Sequence, residues 1–382
     1  MFSVPLSHKL INNIQVSLLI LCFSILVGCS QSTSLAQQYN GDTFSSNLNQ
    51  VDSIYSNKPR DFSNFSKQAE QVISHSPSMA TRYQGLYEQL NHWVIQSGEP
   101  AELANYGIEI AQLGGGDKKG NVLFTGYFSP VIELRHQADN RFKYPLYGLP
   151  ECSDDCPTRS QIYDGALDGL GLELGFAENM IDPFIMEVQG SGFVHFADDN
   201  TLQYFGYAGK NNKEYVSIGR LLIESGQVKR EDMSLKAIKN WVGQNDADKV
   251  QHLLQQNPSF VFFAPKQDLA VTGAAGIPLL PMASVAGDKN LFPMGTPILA
   301  EVPLLNADGT WSGAHALRLL IVLDTGGAVK DNHLDLYHGM GPRAGTEAGH
   351  YKHFGRVWKL GLTGEPTASP WLTSSDYQAT SN

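Results

Sequence analysis

The sequence predicts a mainly β protein with helices, and three observations predict it. Apolar residues at helical spacing are confined to about residues 62–113 and to the stretch that ends at Asn257-Pro258. From Val122 the pattern becomes an aromatic-rich alternation, VLFTGYFSPVIEL. From about Pro265, short apolar runs are punctuated by Gly and Pro, which implies a small barrel. No repeat of solenoid length interrupts this plan.

At 382 residues the chain can form two domains of ordinary size, and 42% hydrophobic with 10% aromatic content suits a packed core. The formal net charge is -11, and no basic stripe is visible. That excludes nucleic acid as the main partner, because nothing would neutralise its phosphates. It does not hinder binding of a neutral or zwitterionic sugar polymer.

The first 28 residues read as a signal peptide. Lys9 precedes an uncharged, mostly apolar run from Ile14 to Gly28, too short for a comfortable membrane span. The run ends in Leu26-Val27-Gly28-Cys29, which resembles a bacterial lipobox, so Cys29 is the expected lipidation site. Ser30 follows it, which by resemblance to such lipoproteins suggests sorting to the outer membrane. Residues 29–60 are rich in Ser, Gln and Asn and are expected to form a flexible tether. Cys22 falls within the signal, leaving Cys152 and Cys156 in ECSDDCP. In an exported protein that C-x3-C loop suits a small disulfide. No partner motif nearby supports a zinc site.

A helix from Phe62 is expected to stop and restart at Ser76-Pro77, followed by an apolar face of Leu86, Leu90, Trp93 and Val94. A short helix is expected from Ala101 to Leu113. Phe184-Ile185-Met186-Glu187-Val188 reads as a strand leading into Gln189-Gly190-Ser191, and a strand pair ends at Tyr204–Asn211. Both pieces combine glycines with amide, hydroxyl and aromatic groups, a surface suited to sugar rings and their hydroxyls. Gln189, Ser191, Tyr207 and Lys210 are the candidate sugar contacts, and Glu187 a candidate second acid. Three short helices follow, with a Ser225-Gly226 stop and Ser234 as a cap. The FVFF run then returns to strand.

The C-terminal part concentrates the chemistry. Leu319–Leu323 reads as a buried strand ending in Asp324-Thr325-Gly326-Gly327. A second strand begins at His333. Alternation puts Leu334 and Leu336 on one face and His333, Asp335 and Tyr337 on the other. A carboxyl flanked by core residues and aligned with a His and a Tyr is a candidate catalytic acid.

The motifs FTGYFSPVIELRH, VQGSGFVHF, YAGKN, SIGRLLIESGQV, NPSFVFF, PMGTPILAEVP, LDTGGAVK and HLDLYHGMGP occur in this order over about residues 121–360. Together they resemble the membrane-bound lytic murein transglycosylase A family. The C-terminal part is similar to the three-aspartate domain, its pattern met by Asp288, Asp324 and Asp335. The resemblance implies a double-psi β-barrel domain built from residues 61–124 and 266–382, including the N-terminal helices. A β-rich substrate-binding domain of residues 125–265 would be inserted into it, with a groove between them. The His333-x-Asp335 pair is similar to a motif of inverting endoglucanases on the same barrel, where the matching Asp is the general acid.

The implied activity is cleavage of the β-1,4 bond between N-acetylmuramic acid and N-acetylglucosamine. Ordinary glycosidases need two carboxylates. Here the muramic C6 hydroxyl would attack C1 and close a 1,6-anhydro ring, so Asp335 alone could give and then receive a proton. Asp324 would either tune Asp335 or cap the glycine turn; His333 and Asp288 are supporting residues. No metal or organic cofactor is implied. The implied partners are peptidoglycan glycan strands and, through the acyl anchor on Cys29, outer-membrane lipid at the periplasmic face, with cell-wall synthesis proteins as a further class. Two alternatives remain open: a hydrolase using Asp335 with Asp324, and a non-catalytic expansin-like wall-binding lipoprotein.

Overall fold

The computed structural model describes residues 39–41, 43–152 and 155–364. The signal peptide and Cys29 lie outside the described residues, as does most of the expected tether. The described body begins earlier than residue 61. A strand β1 (Leu48–Val51) pairs antiparallel with β2 (Ile108–Leu113), and Ile54 is 1% exposed. A few apolar residues dispersed among Ser and Asn suffice to dock this stretch, correcting the expectation of a free tether up to residue 60.

Helices α1 (Phe65–His75) and α2 (Pro77–Gln96) meet at Ser76, whose side chain accepts the Met79 N–H, with Pro77 opening the second helix. Leu86, Leu90 and Trp93 are buried as their spacing requires. The expected helix over 101–113 is instead a 3-10 turn (Pro100–Tyr106) followed by β2. Gly107, at φ 70°, separates the two, and the alternation of Ile108 and Ile110 then favours strand.

Strands β3 (Val122–Ser129), β4 (Val131–Arg135), β5 (Tyr144–Tyr147) and β6 (Glu173–Ala177) follow, with a short α3 (Arg159–Tyr163) before β6. Next comes α4 (Ile181–Gln189), where a strand was expected over Phe184–Val188. A continuous apolar run fits either state; here Pro183 near the start and Gly190 at φ 80° past the end settle it as helix. Strands β7 (Gly192–Phe196) and β8 (Thr201–Lys210) form a hairpin. The three expected helices are α5 (Ile218–Glu224), α6 (Leu235–Gly243), capped by Ser234, and α7 (Ala247–Gln255). The chain ends with β9 (Val261–Pro265), β10 (Ser284–Ala286), β11 (Pro297–Leu305), β12 (Trp311–Asp324), β13 (His333–Met340), α8 (Gly341–His350), β14 (Lys352–Gly355) and β15 (Val357–Leu362).

Two sheets result. The first runs β1-β2-β15-β11-β12-β10-β13-β3-β14, with β10–β12 and β13–β3 parallel. The sheet curls shut where the Glu301 N–H donates to the Arg356 carbonyl (2.9 Å), bringing the β14 edge back to β11. Leu320, Val322, Leu334, Leu336 and Phe124 fill the resulting barrel. Leu317, Leu319, Ile321 and Leu323 point outward against α1 and α2. This double burial explains why Leu317–Leu323 is almost continuously apolar. The second sheet, β5-β6-β4-β7-β8-β9, has its edges joined by a bridge between Gly148 and Phe263. The protein is thus mainly β with helices: a barrel and a second β-rich domain inserted between β3 and β10.

Candidate active site

The site grows from one pair of parallel strands. In β13, Leu334 and Leu336 are fully buried in the barrel, leaving His333, Asp335 and Tyr337 on its outer wall. Strand β3 runs beside it with Asp335 opposite Thr125 and Tyr337 opposite Tyr127. Paired positions share a face, so Thr125, Tyr127 and Ser129 join the same surface.

Thr125 Oγ1 lies 2.6 Å from Asp335 Oδ1 and 2.8 Å from His333 Nε2. The other ring nitrogen, His333 Nδ1, is 3.1 Å from the Ala328 carbonyl oxygen. Asp335 is half-buried and has no cation partner among the described residues. Burial pushes its carboxyl up to about 6; the Thr125 hydroxyl works the other way when it donates to the ionised carboxylate, and the Asp324 carboxylate adds to the rise. Burial also lowers the pKa of His333, partly opposed by its bond to Ala328.

Asp324, at the end of β12, accepts the N–H groups of Ala274 (2.9 Å) and Thr325 (2.8 Å) through Oδ1. It therefore fixes both the glycine turn and the 274 loop. Burial nonetheless raises its pKa above the ordinary carboxyl range. Asp288 accepts the N–H groups of Asn290 (2.9 Å) and Asp331 (2.9 Å), bracing the turn before His333. Burial works against its ionisation, but those amides and Lys330 hold its pKa low. Of the three aspartates, Asp335 alone keeps its carboxyl clear of backbone amides.

Three contributors were missed by sequence reasoning. Thr125 lay inside a quoted motif, yet its partners stand 208 and 210 residues away. Tyr127 buries its hydroxyl beside the Asp324 and Asp335 carboxyls; burial, then those two charges, push its pKa well above normal. Tyr204 of β8 accepts the Thr272 N–H (3.4 Å), tying the second sheet to the segment that returns to the barrel. Alternation within each strand signalled these faces, but not which strands would meet.

The expected sugar contacts divide. The Gln189 side chain accepts the Phe128 N–H (3.0 Å), so it straps α4 to β3 beside the site. Ser191 follows at the mouth of β7, half-buried. Tyr207, 52% exposed, and the exposed Lys210 lie farther along β8, and no contact joins them to the Asp335 cluster. Glu187 is not a second acid of this site. It is buried in a bidentate pair with Arg159 (3.1 and 2.7 Å) and accepts the Val261 N–H. Cys152 and Cys156 are joined by a disulfide. A cavity of about 370 Å³ opens behind β3, between α4, α6 and α8. None of the groups around Asp335 lines it, so it is separate from this chemistry.

Comparison with known proteins gives a consistent result. Residues 123–264 match the family model of the MltA specific insert domain, and residues 283–361 that of the 3D domain. The chain is 71% identical over 356 residues to the membrane-bound lytic murein transglycosylase A of Vibrio cholerae, covering 93% of this chain and 97% of the relative. Its Escherichia coli K12 counterpart is 42% identical over 341 residues, covering 88% and 93%. The crystal structure of E. coli MltA with bound chitohexaose matches with a TM-score of 0.82 at 41% identity, covering 87% of this chain and 99% of that one. A membrane-bound lytic murein transglycosylase from Agrobacterium tumefaciens, at 21% identity and a TM-score of 0.64, shares the fold.

Proposed function

Because the chain belongs to the membrane-bound lytic murein transglycosylase A family, a family of peptidoglycan-cleaving lyases, we propose that Asp335 is its sole catalytic acid and base. The bond cleaved is the β-1,4 link between N-acetylmuramic acid and N-acetylglucosamine. Asp335 in its acid form protonates the leaving glycosidic oxygen. As carboxylate it then takes the proton of the muramic C6 hydroxyl, which bonds to C1 and closes the 1,6-anhydro ring. One carboxyl suffices because the nucleophile belongs to the substrate and sits at high effective concentration.

The observation that carries this reading is the contrast between Asp335 and its neighbours. Among the described residues no cation pairs with Asp335, and its carboxyl is pushed up to about 6, close to a working pH. Asp324, the carboxyl whose charge acts on Asp335, is engaged by two amides. The glycan strand would run along the outer barrel wall beneath the inserted domain, with Gln189 and Ser191 nearest the acid and Tyr207 and Lys210 more distal. The chitohexaose held by the E. coli relative supports an extended sugar chain as ligand. The membrane-bound names of the relatives support attachment to a membrane; anchoring through an acylated Cys29 at the periplasmic face of the outer membrane belongs to the same proposal.

Mass spectrometry of muropeptides released from purified sacculi tests it. The wild type should yield 1,6-anhydromuramic ends, and Asp335→Asn should release almost nothing while still binding sacculi. Reducing ends would mean a hydrolase, and an active Asp335→Asn variant would remove the proposed acid.

A further inference from the structure

Around Asp335 the hydrogen bonds have a direction, and one fixed point sets it. The Ala328 carbonyl oxygen can only accept, so His333 Nδ1, 3.1 Å away, must carry a proton. A neutral His333 then has a bare Nε2. That nitrogen, 2.8 Å from Thr125 Oγ1, can only accept the Thr125 hydroxyl proton. An ionised Asp335 would take the Thr125 hydroxyl at 2.6 Å, but with that proton turned to His333 the Thr125 oxygen offers only lone pairs, and the same contact needs a proton on the carboxyl.

We infer that Thr125 and His333 are positioning residues that keep Asp335 in its acid form, the three side chains together holding one mobile proton. Every bond of the chain is made when Asp335 is protonated and His333 is neutral. The same number of bonds is made if the proton moves through Thr125 to His333, leaving carboxylate and imidazolium. Removing that proton altogether costs one bond, because Thr125 has one hydrogen to share between two acceptors. Desolvation of the half-buried ring favours the first arrangement. The other titratable groups facing Asp335 are Asp324 at the end of β12 and Tyr127 on β3. Neither supplies a positive charge, so nothing on those elements favours the carboxylate instead.

During the reaction the chain works in both directions. When Asp335 gives its proton to the leaving oxygen, the Thr125 hydroxyl turns to donate to the new carboxylate, and its bond to His333 is released. When the C6 hydroxyl proton arrives on Asp335, Thr125 turns back. His333 ends neutral, as it began.

This inference rests on Asp335 being the acid, and the test separates the two. In Thr125→Val the shape is kept but the relay is lost. The alkaline limb of the kcat/KM–pH profile should move about one pH unit toward acid, with about tenfold lower activity above that limb. Thr125→Ser should restore the wild-type profile. His333→Gln, which can donate to Thr125 and turn its hydroxyl onto the carboxylate, should move the limb the same way. Nitrogen-15 NMR of the wild-type ring at pH 7 should show the Nδ1–H tautomer. An alkaline limb that moves upward in Thr125→Val would mean that Thr125 is an ordinary donor to a carboxylate, and would overturn the inference. So would an Nε2–H tautomer. Either result with an inactive Asp335→Asn would leave the acid assignment standing, whereas an active Asp335→Asn would remove the acid itself.

Discussion

Two carboxyls, Glu187 buried in the inserted domain and Asp335 half-buried on the barrel wall, meet different fates. In the inserted domain, Glu187 faces Arg159, which is 1% exposed; the guanidinium also donates to the Asn257 and Ser259 carbonyls. Burial alone would lower the Arg159 pKa, but the Glu187 carboxylate outweighs it and keeps the cation charged. On the barrel wall, Asp335 has a hydroxyl and an imidazole for company and, among the described residues, no cation. Burial raises the Glu187 pKa too, against the pull of Arg159, but the guanidinium engages both of its oxygens, so Glu187 cannot hand a proton on to a substrate. A carboxyl left without a counter-charge is costly to ionise and, for that reason, can exchange a proton near neutral pH. The first arrangement builds a core; the second is suited to chemistry.

The sharpest way to break this contrast is at Asp335. Asp335→Asn should lower turnover on sacculi by about 10³-fold, the scale of a lost general acid and base, with binding retained. Next, Glu187→Ala should destabilise the protein by about 3–5 kcal/mol in equilibrium denaturation, because it leaves Arg159 buried and unpaired. Turnover per folded molecule should stay near wild type.

A third measurement sets the two sites against each other through pH. The folded-state value of Asp335, about 6, lies above its ordinary 3.8. Its favourable contribution to stability is therefore complete below about pH 3.8 and is lost as pH rises through about 6. Asp335→Asn should thus be more stable than the wild type at pH 7.5, by up to about 3 kcal/mol, and the gain should vanish near pH 4. Glu187→Ala should show no such gain. The smallest effect is expected at the disulfide of the inserted domain: Cys152→Ser should cost about 2 kcal/mol at most, since the loop it closes is so short.

Much of this site was legible before folding. The alternation of HLDLY placed Asp335 opposite the core and beside His333, because the period of a strand is two and nothing tertiary alters it. The helix break at Ser76-Pro77 was equally local. What could not be read was partnership across distance. Thr125 comes to Asp335 only because β3 and β13 run parallel, a pairing no local pattern encodes. Glu187 was misjudged because Phe184–Val188 is apolar enough for either period, and its helix turns the carboxyl toward Arg159 rather than to a groove. The docking of β1 was hidden by its neighbours' polarity: Ile54 buries its side chain inside a stretch whose average composition suggests none.

A single residue, Pro130, separates the last barrel rung of β3 from the first rung of β4 in the second sheet. Its ring fixes the local torsion, and the Gln189 side chain ties down the Phe128 amide just before it. A swing of one sheet against the other finds almost no slack at this crossing and must be taken up on the return pass between Pro265 and Ser284. The strand that carries Thr125 to Asp335 is thus the same ribbon of backbone that crosses into the inserted sheet, so the two sheets and the Asp335 cluster share one stiff junction.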